Sequence, residues 1–224
     1  MPMLRWSLAL TLSACSYRPQ PGTADSINGQ PATCRTANVS TMGGLVGGAG
    51  GGVRPPQLCA DDEVVVQAFV EMTNGSRWFE HIASARATFT CGRLSRPAGG
   101  SFATSSTDAF VVNPAPCDVF VPQLATTVAT CASGSVMVGM RASVIPTDDN
   151  FTCFNNVAAL CAPIEADGLP SSTAHAVDVL ESADASLTPV DVRCPGRQVV
   201  RGVRAHHGCG LDGLDLLCDD LVCD

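Results

Sequence analysis

Near the end of the chain His206, His207, Cys209 and Cys218 stand close together, with Asp212 and Asp215 between them. Imidazole nitrogens and thiolates are zinc ligands, and a histidine beside a carboxylate is the centre of an acid–base relay. The spacing of these four residues fits none of the usual zinc patterns, so no metal is expected. The Gly-rich run "GGLVGGAGGG" from Gly43 to Gly52 offers a second chemistry, the cradling of a phosphate. It holds no Gly-Lys-Ser/Thr and no frame of Gly-x-Gly-x-x-Gly. A tight, side-chain-free turn entering the first repeat unit is expected instead. Asp61-Asp62-Glu63 and Asp148-Asp149 read as solvated turns rather than calcium loops. His81, His175, His206 and His207 fall in neither Gly-x-Ser-x-Gly nor His-Glu-x-x-His. The expectation is a non-enzyme without a cofactor.

The elements that would carry these residues follow from the cysteines. Aligning three of them gives "CADDEVVVQAF" at Cys59, "CASGSVMVGMR" at Cys131 and "CPGRQVVRGVR" at Cys194, with no gap. Position five after the cysteine is Val64, Val136 and Val199; position six is Val65, Met137 and Val200. Each copy passes through a polar stretch and ends on a second cysteine, Cys91, Cys161 or Cys218. An internal repeat of this kind reads as one supersecondary unit used three times. Turn residues, a β-branched run, a polar loop and a second alternating run make each unit a β-hairpin. Tying its first cysteine to its last staples a hairpin that is marginal alone. The pairs expected are therefore Cys59–Cys91, Cys131–Cys161 and Cys194–Cys218.

Composition agrees. With 21 Gly, 15 Pro and only 5% aromatic residues, the chain favours turns and short strands over long helices. The formal charge of −8 excludes nucleic acid as partner, since phosphate binding needs a basic patch. All 13 basic residues are arginines. One segment departs from strand patterning: Thr173 to Ala185, "TAHAVDVLESADA", where a short helix is expected.

The first residues read as an address. Arg5 precedes an apolar stretch from Trp6 to Leu12, and small residues follow. Leu12-Ser13-Ala14-Cys15 resembles the bacterial lipobox. That resemblance implies removal of residues 1–14, acylation of Cys15, and a membrane partnership through the lipid anchor. Ser16 rather than Asp after the cysteine implies the outer membrane. Residues 15–40 then read as the lipidated cysteine and a polar, Pro/Gly-bearing tether, and 41–224 as the β-domain, with units at about 43–91, 117–161 and 188–218. Setting Cys15 aside leaves eleven cysteines, an odd number, so at least one is unpaired or joins another chain, and a disulfide-linked oligomer is a candidate state.

The third unit, with Cys194, Pro195, Gly196, Val199, Gly202, Gly208, Leu211, Asp212, Leu214 and Cys218, resembles the repeat of the vitelline membrane outer layer protein family. Unit one departs from that repeat, carrying Gln67 where the strand glycine belongs. The resemblance implies an all-β fold, a β-prism of three antiparallel Greek-key sheets about a pseudo-threefold axis, similar to jacalin-like lectins. On such an axis Cys153 and Cys209 occupy equivalent places and are candidates to meet, while Cys34, Cys117 and Cys223 have no assigned partner. Sugar binding needs polar groups and a flat apolar face on loops held by a rigid scaffold. The inter-strand loops Thr73–His81, Pro146–Asn156 and Ala205–Asp212 supply Asn74, Arg77 and Trp78; Asp148, Asp149, Asn150 and Phe151; and His206, His207 and Asp212. The expectation is a non-catalytic envelope lipoprotein that binds glycans. A structural coat protein without a small-molecule ligand is the alternative, and a hydrolase of cell-wall or extracellular carbohydrate the third.

Overall fold

The computed structural model describes residues 31–37, 41–74, 82–112, 124–146, 152–181, 187–207 and 211–224. These contain strands and turns but no helix. The strands are β1 (Ala32–Thr36), β2 (Thr41–Gly47), β3 (Gly52–Val53), β4 (Gln57–Leu58), β5 (Val64–Asn74), β6 (Ile82–Arg96), β7 (Ala103–Val112), β8 (Leu124–Thr130), β9 (Ser135–Pro146), β10 (Thr152–Pro163), β11 (His175–Glu181), β12 (Val190–Arg193), β13 (Val199–His207), β14 (Leu211–Asp219) and β15 (Leu221–Cys223). All their pairings are antiparallel.

Three hairpins form the frame: β5–β6, β9–β10 and β13–β14. In the first sheet β7 adds to β6 and β8 returns to lie beside β5. In the second, β11 adds to β10 and β12 returns to β9. Both follow the Greek-key order, with the fourth strand beside the first. The third sheet has the same layout but takes its outer strands from earlier in the chain: β2 adds to β14, and β3 and β4 add to β13. The first strands of the three hairpins pack against one another pairwise. The molecule is an all-β, β-prism-like domain of three pseudo-repeated sheets.

The repeat seen in sequence is a repeat in register. Val65, Met137 and Val200 stand opposite Cys91, Cys161 and Cys218 respectively. In each hairpin the next residue (Val66, Val138 or Arg201) is bulged out of the ladder. A bulge twists a strand locally, and its recurrence at one position gives all three hairpins the same bend. Disulfides join Cys59 to Cys91, Cys131 to Cys161 and Cys194 to Cys218. The strand glycine has a steric cause. A Cβ on Gly139 would lie 2.4 Å from the Val192 carbonyl oxygen, and one on Gly202 would lie 2.1 Å from that of Gln57. Only glycine lets the fourth strand come so close. In the first sheet Gln67 stands there, and its side-chain oxygen accepts from the Thr90 hydroxyl at 3.0 Å.

Two clusters share the interior. The central one joins Val65, Met137 and Val200 to Phe89, Phe154, Leu214 and the three hairpin disulfides. The second gathers Val64, Val136 and Val199 with Cys34 and Leu221, so the first strands all begin at one end of the prism. At that end β1 pairs with β15, and Cys34 is bonded to Cys223, 189 residues away. The repeat left both of these cysteines without a partner; the register that opposes them comes from this outer strand pair.

Three sequence expectations are corrected. The Gly-rich run does not open the first unit, because β2 pairs along β14; residues 41–58 belong to the third sheet, and the unit boundary at 43 moves accordingly. Within Thr173–Ala185 no helix forms among the described residues: His175–Glu181 is β11, where alternation along "HAVDVLE" and an open edge on β10 outweigh helix propensity. Ala205–Asp212 is no long loop either, since β13 runs to His207 and β14 begins at Leu211.

Candidate functional site

Strand pairing brings the hairpin ends together. Leu211, the first residue of β14, pairs with Ser84, close to the start of β6. The ends of β6 and β14 that border 75–81 and 208–210 therefore lie at a common end of the prism, opposite the Cys34–Cys223 bridge. Gly47 pairs with Gly213 and Gly52 with His207, so the stretch between β2 and β3 arches beside the third connection. The Gly48 amide donates to the Asp212 carbonyl oxygen at 2.8 Å. A Cβ on Gly213 would sit 2.2 Å from the Gly48 oxygen, so the arch approaches as closely as backbone allows. Gly47 (φ 91°) and Gly51 (φ 69°) take the left-handed conformations that turn it. Ala49 and Gly51 at its crest are exposed.

Below the arch lies a charged network. The Arg204 Nε donates to Asp215 Oδ2 at 2.8 Å, and His206 Nε2 meets the same oxygen at 2.8 Å. Burial pushes the Asp215 carboxyl up, but the bonds from His206 and Arg204 outweigh it and hold the group below its ordinary range. Asp215 is thus an anion at neutral pH and stitches β13 to β14. On the neighbouring position the Arg54 Nε donates to His207 Nε2 at 2.7 Å. Because arginine donates only, His207 accepts through Nε2 and carries its proton on Nδ1.

His206, His207 and Asp212 are buried within strands, not displayed on a loop. Asp212 has its backbone engaged by the arch, and the two histidines are held by Asp215 and Arg54. Among the described residues His206 Nδ1 is buried without a hydrogen-bonding partner. No cluster of three or more His, Cys, Asp or Glu side chains suited to a metal occurs among the described residues. Arg77, Trp78, Asp148, Asp149, Asn150, Phe151, Cys15, Cys117 and Cys209 lie outside the described residues, and Asn74 and Cys153 are placed there as backbone alone.

Sequence reasoning missed Arg54 and Arg204 as parts of this end of the molecule, and weighed Asp215 only in support of a zinc site. One signal was present: Arg204 and Asp215 are cross-strand partners once the hairpin register is set by Val200 opposite Cys218.

No protein-family model matches the chain, and no curated protein matches it. Among solved structures, Calystegia sepium agglutinin is similar at 14% identity over 81% of this chain and 97% of that one, with a TM-score of 0.49. Frutapin, a lectin from Artocarpus incisa, is 11% identical over 82% and 99%, with a TM-score of 0.46. A mannose-binding lectin from Champedak is 10% identical over 81% and 98%, also at 0.46. At these values the likeness carries no functional weight, and the fold stands on the strand pairing described above.

Proposed function

We propose that this chain is a non-catalytic glycan-binding module of the cell envelope, related to the vitelline membrane outer layer repeat proteins. The observation that carries the proposal is convergence: Leu211 of β14 beside Ser84 of β6, and the Gly47–Gly52 arch beside β13 and β14, bring these strand ends to one end of a disulfide-stapled frame. The sequence between the hairpin strands carries amide, guanidinium, indole and carboxylate side chains, and the arch carries exposed residues at Ala49 and Gly51. Sugars are held by such a mixture of directional polar groups and one flat aromatic face.

A glycan array probed with the labelled full chain, with and without calcium, tests this. Saturable binding is expected. Trp78→Ala should weaken it roughly tenfold, the scale of one aromatic contact of about 1.5 kcal/mol. Absence of binding to any glycan, together with disulfide-linked oligomers on a non-reducing gel, favours the structural coat reading. The bridge closing the outer strands gives that reading its own support, since it adds durability.

The anchor belongs to the same proposal. Cys15 is acylated and holds the module on the outer membrane, the tether giving it reach. Cys15→Ala is expected to leave the protein soluble in the periplasm or unprocessed. An unmodified amino-terminal peptide in the native protein, seen by mass spectrometry, would remove the lipoprotein assignment.

A further inference from the structure

Next to the arch, β2 of the third sheet and β9 and β12 of the second border an open cavity of about 270 Å³. Val46, Ala142 and Ser143 form its buried floor, Leu45 and Val192 its walls. Val190 stands at the rim with 63% of its surface in water. Among the described residues no charged side chain lines the cavity. Gly47 belongs both to this cavity and to the arch, so the hollow opens where the proposed sugar site begins. Exposed aliphatic surface around a concave, uncharged hollow is unfavourable in water and gains from an apolar occupant.

We propose that this cavity is a subsite for an alkyl or small aryl group carried by the ligand, making the ligand class amphipathic glycosides rather than free sugars. The sugar half of this inference rests on the glycan-binding reading; the affinity of the cavity for hydrocarbon does not need it. A cavity of roughly 150 Å³ takes a benzene ring, and an open hollow of about 270 Å³ has room for a chain of roughly eight carbons lying in it. Each methylene group fully removed from water tightens binding roughly fourfold. The cavity is open on one side, so only part of that gain is realised, and a net preference of roughly thirtyfold for octyl over methyl is expected.

The test is calorimetric titration of the full chain with octyl β-D-glucopyranoside, methyl β-D-glucopyranoside and 1-octanol, all below micellar concentrations. Octyl glucoside and octanol should bind, methyl glucoside far more weakly. Val190→Asp, on an exposed rim position, should weaken both octyl ligands at least tenfold, whereas Val190→Leu should retain them. Equal binding of the two glucosides, or octyl binding indifferent to Val190→Asp, overturns the subsite. A blank glycan array with octanol bound removes the sugar reading and keeps the cavity. Array binding without an octyl preference removes the cavity alone.

Discussion

Paired replacement of Cys34 and Cys223 by alanine is expected to lower the unfolding free energy by about 4–5 kcal/mol, more than removal of any hairpin bridge. The reason lies in the unfolded chain. A cross-link restricts the unfolded ensemble in proportion to the logarithm of the loop it closes, and this one spans 189 residues against 32, 30 and 24 for the others. The three inner bridges shorten that loop without changing the ranking, and each of them is expected to contribute about 3–4 kcal/mol by the same model. Urea unfolding of the double variant beside a Cys194→Ala/Cys218→Ala double variant measures both. A smaller loss at Cys34–Cys223 than at Cys194–Cys218 would mean that native packing around the bridge, not loop entropy, decides the order.

The second large effect is expected at Gly47. Its Cβ would lie 2.6 Å from the Asp212 carbonyl oxygen and 2.7 Å from the buried Phe154 ring, and its φ of 91° is hostile to any side chain. Conformational strain and overpacking each cost about 1–3 kcal/mol, so Gly47→Ala should lose about 3–4 kcal/mol. Gly99 separates the two causes, since it has a φ of 67° and no atom within 4 Å of the added carbon. Gly99→Ala should lose only about 1 kcal/mol, the conformational part. Equal losses at the two sites would show that contact with β14 and Phe154 does not constrain the arch. Because Gly47 also lines the cavity beside the arch, its alanine variant should lose glycan and octyl binding together.

The hairpins were legible because the information is local and repeated. Val64, Val65 and their counterparts sit at fixed distances from a cysteine, and one register serves all three copies. What escaped was membership. Nothing within Thr41–Gly47 says that it pairs with Leu217 and its neighbours rather than with the hairpin that follows it, since any strand edge accepts a glycine-rich partner. The same limit applied to Cys34 and Cys223, which become partners only when β1 and β15 align. His206, His207 and Asp212 looked like loop residues because they are polar and border glycines. They lie instead within β13 and β14, where Arg54 meets His207 and Asp215 meets His206, a strand placement that residue types alone left unmarked.

The third sheet, assembled from residues 41–58 and the last hairpin, dictates an order of assembly. As the chain emerges amino-terminus first, the first two sheets can close from neighbouring segments. The glycine-rich strand that precedes them has no partner until residues 199–219 arrive. It waits as an unpaired edge, the kind of surface that recruits other chains. Sequence-distant pairing also slows folding, because a large loop must close before any contact rewards it. Few side chains on that strand, four of its seven residues being Gly43, Gly44, Gly47 and the short Thr41, leave little for a wrong partner to grip while it waits.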